Sequence, residues 1–380
     1  MTPALRSLAA LMALLLTAQT AAGQSDPASA ARAAAEAIHA AGAQLSEAEN
    51  ARDRVAALTE TTRAFEAGLA AMREGLRRVS TREAELAQDL RAREDEVARL
   101  LGTLQVMGGQ RSPVVLLHPA GALGTARAAM IVADVSRGLN QQADELRDRL
   151  DEARVLRQLQ QSAADTLAEG LRGVQTARTE LSQAVADRTD LPRKFTEDPI
   201  KTALLIASTE TLDAFASGLT GIAEEEQAIA LPSVTDRKGD IPLPVLGRVL
   251  RRAGEADAAG VTRPGIVVAT RPRALVTTPT AATIRYRGPL LDYGNVMILE
   301  PEPGILFVFA GLDVVYGAAG NVLAAGAPVG LMGGPEADLG AVLSEAQPAS
   351  GAGRSETLYI EVREDNTPQN PGDWFRGTED

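Results

Sequence analysis

The sequence predicts an α+β protein in which a long antiparallel coiled-coil hairpin and a regulatory helical segment precede an all-β domain. Apolar residues recur at helical spacing, without a proline, from Ala51 to Met107. From Leu231 onward, glycine and proline become frequent and short β-like runs replace the helical pattern. Aromatic residues make up only 3% of the 380 residues, a composition that suits long helices better than one large core.

The first segment, residues 1–23, has the pattern of a cleaved export signal. Arg6 supplies the positive charge, a short apolar run extends from Leu8 to Leu16, and small residues at Ala21 to Gly23 suit cleavage. The run is shorter than the ~20 apolar residues that a membrane-spanning helix needs, although an N-terminal anchor is the alternative. We therefore expect export to the bacterial periplasm.

The predicted coiled coil occupies residues 24–190 and begins with a seam at alternating steps of three and four residues. Only Thr62, Glu83 and Arg93 interrupt this seam between Val55 and Met107. Charged residues occupy the other faces of the helix. A seam sustained over this length is typical of a coiled coil.

A breaker, GGQRSP from Gly108 to Pro113, ends the first long helix because glycine and proline terminate helices. A second helical stretch follows from about Ala122 to Asp187. Two long helices joined by a short breaker favour an antiparallel hairpin, and a parallel dimer is the alternative. The apolar cluster Val114–Leu117 with His118 would lie at the tip, either as a binding surface for a partner or as a hydrophobic plug.

A third helical segment, from about Pro199 to Ala228, lies in the linking region 191–230. Its apolar residues form an amphipathic stripe, and it ends in the acidic run Glu224–Glu226. The stripe fits a helix that docks permanently on the next domain or a movable gate. Helical spacing alone favours permanent docking.

The all-β domain is predicted over residues 231–380. Its short apolar runs between turns are typical of a compact antiparallel sheet, and Gly334–Glu356 has the composition of a long loop. The predicted strands are Gly265–Thr270, Ala274–Tyr286, Asn295–Glu300, Ile305–Leu312, Val329–Met332 and Thr357–Glu364.

Charge and composition exclude several classes of function. The net charge of -12 disfavours a nucleic-acid binder, whose phosphate contacts require a basic face. Without cysteine, a thiolate metal site and a catalytic thiol are impossible. Both histidines, His39 and His118, lie in the helical half, so the β domain lacks the usual nitrogen ligands of zinc and a base for a nucleophilic triad.

Carboxylates of the β domain are scattered along the chain without the spacing of a calcium loop. For most of them the sequence predicts solvated surface positions. They include Asp292, Glu300, Glu302, Asp313 and Glu361.

The stretch SETLYIEVRE, Ser355 to Glu364, has the alternation of a half-buried strand. Leu358, Ile360 and Val362 alternate with Tyr359, Glu361 and Arg363. Two neighbouring motifs are equally distinctive. They are DYGNVMILE, Asp292 to Glu300, and the closing NPGDWF, Asn370 to Phe375.

These motifs resemble the LytM, or lysostaphin-like, family of zinc peptidases, most clearly from Leu243 to Phe375. The family's last metal-binding strand is written H-x-H-F-E-V-R, its central strand G-Y-G-N-x-V-x-I and its ending N-P-x-x-W. The whole layout resembles the EnvC family of murein hydrolase activators, which joins a signal peptide and a coiled-coil hairpin to a degenerate LytM domain.

The resemblance also implies that every ligand and catalytic position of the peptidase family is substituted here. In place of H-x-G-x-D the chain has RPGIV, and FAGL stands in place of Y-x-H-L. The resemblance therefore implies no metal, no cofactor and no enzymatic activity. The substituted positions are Arg263, Val267, Gly311, Thr357 and Tyr359.

The EnvC resemblance implies a non-catalytic periplasmic activator of peptidoglycan N-acetylmuramoyl-L-alanine amidases in cell division. The coiled coil would bind the FtsEX division complex, through the periplasmic part of FtsX, and a gate helix would occupy the amidase-binding groove until that complex acts. The implied gate residues are Leu204, Leu205, Leu212, Phe215 and Leu219. The implied groove residues are Val267, Tyr293, Val296, Phe309, Tyr359 and Arg363.

Two other functions compete with this expectation. The first is a LytM-type peptidoglycan endopeptidase, against which the missing histidines count heavily. The second is a structural coiled-coil protein that binds the cell wall through an inactive groove. Tyr359 and Arg363 are the groove residues with the clearest rationale, because an aromatic side chain and an arginine on one strand face often form a binding hot spot. For Tyr359, packing in the core is the alternative.

Overall fold

A computed structural model describes residues 27–92, 98–99, 102, 121–188, 191–219, 223–224, 231–336, 340 and 356–378. The predicted export signal, the GGQRSP breaker, the Val114–Leu117 cluster with His118 and most of the predicted loop Gly334–Glu356 lie outside these residues. Among the described residues, no helix combines the length and the apolar character needed to cross a membrane.

The described helices are α1, Pro27–Glu47; α2, Ala51–Ala92; α3, Gly121–Ala186; α4, Pro199–Ser208; and α5, Leu212–Leu219. The Asn50 side chain initiates α2, because its Oδ1 accepts a hydrogen bond from the Asp53 amide at 2.9 Å. The bounds of α3 agree with the predicted second helix. Helix α1 was not separated from the coiled coil by the sequence pattern.

The chain divides into two compact units. One comprises Met1–Met72, Gly173–Glu336 and Ser355–Asp380, and the other comprises Arg73–Arg172 and Ala337–Arg354. In the second unit, ion pairs join α2 to α3: Arg82 Nε to Glu152 at 2.8 Å, Arg157 Nε to Glu83 at 3.1 Å, and Arg149 to Asp89. Such exposed pairs contribute little to the free energy of unfolding, and the coiled-coil hairpin stays a prediction.

In the first unit, the ends of α2 and α3 pack on the β domain. The buried Glu66 carboxylate pairs with Arg178 at 2.6 Å and accepts a hydrogen bond from the Leu275 amide at 2.9 Å. Burial raises the pKa of Glu66, and Arg178 opposes this shift. The apolar part of this contact contains Val55, Leu58, Leu181, Ala184, Leu275, Tyr316 and Leu331.

The strands of the β domain are β3, Gly247–Arg251; β4, Ile266–Thr270; β5, Leu275–Thr277; β6, Ala282–Pro289; β7, Asn295–Glu302; β8, Ile305–Val315; β9, Val322–Leu323; β10, Pro328–Met332; β11, Glu356–Glu364; and β12, Thr367–Gln369. They form one antiparallel sheet in the order β3-β4-β11-β8-β7-β6-β9, with β10 pairing to β5 and β8, and β12 to β11.

Five of the six predicted strands are present with small changes of bounds. The predicted run Ala274–Tyr286 is two strands, β5 and β6, which pair with different neighbours. The sequence pattern missed β3, β9 and β12. Strands β9 and β12 are shorter than the runs that alternation can reveal.

One face of the sheet forms the main hydrophobic core. It receives Leu358, Ile360 and Val362 from β11, as the alternation of that strand predicted. The C-terminal Trp374 and Phe375 close this face: the Phe307 ring lies 6.0 Å from the Trp374 ring and 5.5 Å from the Phe375 ring, measured between centroids.

The segment predicted as one helix from Pro199 to Ala228 is two helices, so that prediction was wrong. Helix α4 begins at the Asp198 cap, whose Oδ1 accepts from the Ile200 and Lys201 amides at 3.0 and 3.1 Å. Thr209 is extended and ends it, and the Thr211 hydroxyl accepts from the Ala214 amide at 3.1 Å at the start of α5. Two short strands flank the helices, β1, Thr196–Glu197, and β2, Ala223–Glu224, and pair with each other.

Candidate functional site

Helix α5 covers the second face of the sheet, opposite the main core. Phe215 is fully buried there, and its ring meets the Tyr286 ring edge-on at 4.7 Å between centroids. This geometry is favourable for an aromatic pair. The helix contributes Leu212, Phe215, Ala216 and Leu219 to the contact, and the β domain contributes Tyr286, Leu290, Val296, Ile298, Leu306, Val308, Ala310 and Tyr359. We call this contact the α5-covered face.

Helix α4 contributes much less to the contact. Leu205 and Ile206 are partly buried against the α5-covered face, whereas Ile200 and Leu204 are 79% and 68% exposed. The expectation that Leu204 packs as a gate residue is therefore wrong, because the side of α4 that contacts the sheet carries Leu205 and Ile206 instead. Leu205, Leu212, Phe215 and Leu219 do lie on the packed side.

A buried polar chain follows β11 along the same face. The Tyr359 hydroxyl donates to Glu361 Oε2 at 2.7 Å and accepts from the Gly265 amide at 3.1 Å. The Arg363 guanidinium donates to Glu361 Oε1 at 2.9 Å and to the Ser217 hydroxyl of α5 at 3.1 Å. Helix α5 is therefore held to the sheet by a charged group as well as by apolar packing.

Arg363 is only 1% exposed, and it also donates to the backbone carbonyl of Asn366. A buried guanidinium is stable only when a carboxylate and further acceptors replace its water. Glu361, Ser217 and Asn366 supply these acceptors.

The Tyr359 phenol stays protonated. Burial is the main cause that raises the pKa of Tyr359, and the neighbouring Glu361 carboxylate raises it further. Gly265 permits the close approach of Tyr359, because a Cβ on Gly265 would lie 2.5 Å from the tyrosine ring.

Two carboxylates that were expected at the surface are buried. Glu361 belongs to the polar chain on β11. Glu300 pairs with Lys194 at 3.2 Å and Arg285 at 3.5 Å, and the Arg285 guanidinium lies 4.5 Å from the Phe195 ring centroid. Asp292 and Asp313 are exposed, as predicted.

Five of the six residues predicted for the groove lie on or beside the α5-covered face. Val296, Tyr359 and Arg363 are buried on it, and Val267 and Tyr293 are partly buried at its margin. Phe309 is the exception: it pairs in register with Ile360 and points into the main core. Directly opposed residues of two strands share a sheet face, so Phe309 cannot line the groove. The role of the other five in binding stays a prediction.

The positions that correspond to peptidase ligands lie close together where β4, β11 and β8 meet. Val267 opposes Tyr359 directly, and a Cβ on Gly311 would lie 2.7 Å from the Thr357 carbonyl oxygen. Gly311 is the extra residue of a bulge in β8, with φ of +95°, a conformation that glycine adopts readily. Arg263 lies just before β4, with its guanidinium 5.9 Å from the Tyr293 ring centroid.

These side chains do not fit a zinc ion. Zinc sites in proteins use imidazole, thiolate or carboxylate ligands, and this set offers two hydroxyls, one of which Tyr359 commits to Glu361 and Gly265. Within the described part of the chain, no group of three or more His, Cys, Asp or Glu side chains is placed to hold a metal ion.

Sequence reasoning missed several residues of this face. Glu361 had a usable signal, because it alternates in phase with Tyr359 and Arg363 on β11. Ser217 and Tyr286 had none, since their contacts with Arg363 and Phe215 depend on how α5 lies on the sheet.

Comparison with known proteins gives distant similarities. No family model matches the chain. A protein of Neisseria meningitidis serogroup B, named uncharacterized protein NMB1333, is 24% identical over 168 residues, which are 42% of this chain and 25% of that protein. The chain thus spans about a quarter of the length of this curated relative.

Among solved structures, the chain is similar to Helicobacter pylori Csd3, at 18% identity over 36% of this chain and 34% of that chain, with a TM-score of 0.27. A zinc-containing peptidase from Vibrio cholerae is 17% identical over 37% of this chain and 40% of that chain, with a TM-score of 0.28. The catalytic domain of lysostaphin from Staphylococcus simulans is 16% identical over 33% of this chain and 89% of that chain, with a TM-score of 0.26. At these TM-scores the similarities carry no argument about function.

Proposed function

We propose that this protein is a non-catalytic activator of peptidoglycan N-acetylmuramoyl-L-alanine amidases that works in the periplasm during cell division. In this proposal the β domain is a degenerate LytM domain, and its α5-covered face is the amidase-binding groove. Helix α5 is the gate that keeps amidases away from the groove at rest.

One observation carries the proposal: helix α5 covers the sheet face on which Val267 and Tyr359, two of the substituted positions, lie opposite each other. The side chains at these positions do not fit zinc, so in this proposal the face binds a partner instead of cleaving peptides. It retains buried aromatic, apolar and arginine side chains, which are the residues that dominate protein–protein binding when exposed.

The gate has features of a detachable element. Helix α5 has eight residues, and so short a helix is marginal in water without its packing surface. In the neighbouring helix α4, only Thr202 is buried. The two helices are bounded by β1 and β2, which are two residues each, so few main-chain hydrogen bonds would break on opening.

The helical half supplies the proposed link to the division machinery. In this proposal α2 and α3 form an antiparallel coiled-coil hairpin that binds the periplasmic part of FtsX in the FtsEX complex. The net charge of -12 suits a protein partner better than nucleic acid.

The proposal is tested with purified full-length protein, the amidase of the same organism and dye-labelled peptidoglycan. We expect little dye release with the wild-type protein and strong release with Phe215→Ala, because truncating this buried ring costs about 3–5 kcal/mol of packing and loosens α5. Leu204→Ala is the matched control, since Leu204 is exposed on α4. It should behave as the wild type.

A second substitution asks whether the uncovered face is the binding surface. Thr357 is exposed on β11 beside Gly311, so Thr357→Arg should obstruct the groove without disturbing the core. Added to Phe215→Ala, it should abolish activation, whereas Thr367→Arg on β12 should not. If Thr357→Arg and Thr367→Arg left activation equally strong, the amidase would bind elsewhere.

The same assay distinguishes the competing functions. Dye release by the protein alone, abolished by a chelator, would replace the proposal with an endopeptidase. Sedimentation with peptidoglycan, without any effect on the amidase in either the wild type or Phe215→Ala, would favour a structural wall-binding protein.

A further inference from the structure

Strand β3 ends the sheet and has only one strand neighbour. It pairs with β4 through Gly247, Arg248, Val249 and Arg251, and within the described residues no strand pairs with its other side. In an antiparallel strand, alternate N–H and C=O groups point away from the partner. The outer edge of β3 therefore offers main-chain groups that can receive a further strand.

Exposed apolar side chains line this edge. Leu246 is 50% exposed and Leu250 is 57% exposed, although leucine is usually buried. Val249 packs partly against the main core, so the alternation of the strand places Arg248 and Leu246 together on the opposite side. Leu250 is the extra residue of a bulge between Val249 and Arg251.

The edge is basic in an acidic protein. The hairpin from Leu246 to Arg263 carries four arginines and two carboxylates, whereas the whole chain has a net charge of -12. Both carboxylates bind main-chain amides within the hairpin: Glu255 accepts from Arg252, and Asp257 from Ala259 and Val261. No carboxylate of the described residues pairs with Arg248, which is exposed.

We propose that the outer edge of β3 binds an extended acidic segment of a partner protein as an additional strand. The segment would place an acidic residue opposite Arg248 and an apolar residue two positions away, opposite Leu246. Main-chain hydrogen bonds provide affinity in this mode, and the alternate side chains provide specificity. The surface lies outside the α5-covered face and does not depend on the proposed amidase activation.

Two other occupants of the edge fit less well. A second copy that paired antiparallel about Arg248 would bring two arginines directly opposite each other, which is unfavourable. A lipid surface would bury the free main-chain N–H and C=O groups without hydrogen-bond partners, at a cost of several kcal/mol for each group. An extended acidic peptide would pair with the Arg248 charge and form hydrogen bonds with the free main-chain groups of β3.

The binding test uses the full chain and a fluorescein-labelled peptide in which threonine alternates with leucine and one central leucine is replaced by glutamate. We expect saturable binding in fluorescence anisotropy. Arg248→Glu should weaken binding of this peptide about tenfold, since the substitution replaces a favourable cross-strand charge pair with a repulsive one. The same variant should bind a second peptide in which lysine replaces the glutamate. Arg237→Glu, at another exposed arginine, is the matched control and should change neither.

Hydrogen exchange then locates the bound peptide. Strand addition should slow amide exchange within Leu246–Arg252 when the glutamate peptide is present, and Arg248→Glu should remove this protection. Three results would overturn the proposal: no peptide binding, equal weakening by Arg237→Glu, or binding that protects amides only outside β3. Binding of anionic phosphatidylglycerol vesicles in place of the peptide would also overturn it and identify a lipid surface.

Discussion

The two faces of the sheet are closed in different ways. The main core is closed by the C-terminal Trp374 and Phe375, which are held by main-chain hydrogen bonds between Ile241 and Trp374 at 3.3 Å and between Arg376 and Ile241 at 2.9 Å. The α5-covered face is closed mainly by one short helix, with a smaller contribution from α4, and contains the buried chain Tyr359–Glu361–Arg363. The first face is closed by the end of the β domain itself, whereas the second is closed by a helix from the linking region.

The largest effect is expected in the main core, from Phe307→Ala. Phe307 is fully buried against Trp374 and Phe375, and its truncation should lower the free energy of unfolding by about 3–5 kcal/mol. Val308→Ala, the adjacent position on the α5-covered face, should cost about 2 kcal/mol. Denaturant unfolding followed by the fluorescence of the single tryptophan measures both. A larger loss for Val308→Ala would contradict the ranking of the two faces.

The next effect concerns the buried ion pair. Arg363→Ala should cost about 3 kcal/mol, because it leaves the Glu361 carboxylate buried without its partner. The double variant Arg363→Ala with Glu361→Ala should cost less than the sum of the single variants. Arg237→Ala, at an exposed position, should stay within about 0.5 kcal/mol of the wild type. Strict additivity in the double-mutant cycle would show that the two side chains do not interact.

A smaller effect, which depends on pH, is expected for Tyr359→Phe. At neutral pH it removes hydrogen bonds to Glu361 and Gly265 and should cost about 1–2 kcal/mol. The pKa of Tyr359 is raised in the folded state, so its contribution is complete below the ordinary tyrosine pKa of about 10 and declines at higher pH, where the unfolded chain ionises first. The difference in unfolding free energy between wild type and variant should therefore shrink above that pH. Tyr293→Phe is the control. A difference in unfolding free energy that grows with pH would mean that the pKa of Tyr359 is lowered, not raised, in the folded state.

The smallest effect separates the two sides of α4. Leu204→Ala should change the free energy of unfolding by less than about 0.5 kcal/mol, because the side chain is exposed. Leu205→Ala should cost more, since Leu205 packs on the α5-covered face. The Leu205 side chain lies so close to α5 that a Cβ on Gly218 would be 2.6 Å from Leu205 Cδ1. Protease sensitivity of the α4–α5 segment would measure the same difference locally. Equal behaviour of the two variants would mean that α4 does not contact the face.

The alternation of β11 was readable in the sequence because a strand places successive side chains on opposite faces, whatever its neighbours are. The same rule could not place Phe309, whose face depends on the register between β8 and β11. The break between α4 and α5 had a local signal in Thr209 and Thr211, but the amphipathic stripe continued through it and concealed the break.

Local periodicity and residue chemistry were enough to predict the helical front half, most strands of the β domain and the side chains on each face of β11. Only the folded chain shows that Glu361 and Arg363 are buried together, that Phe309 belongs to the main core and that α5 rather than α4 covers the second face. Burial and pairing depend on which distant segment excludes water from a side chain, and no local pattern contains that information.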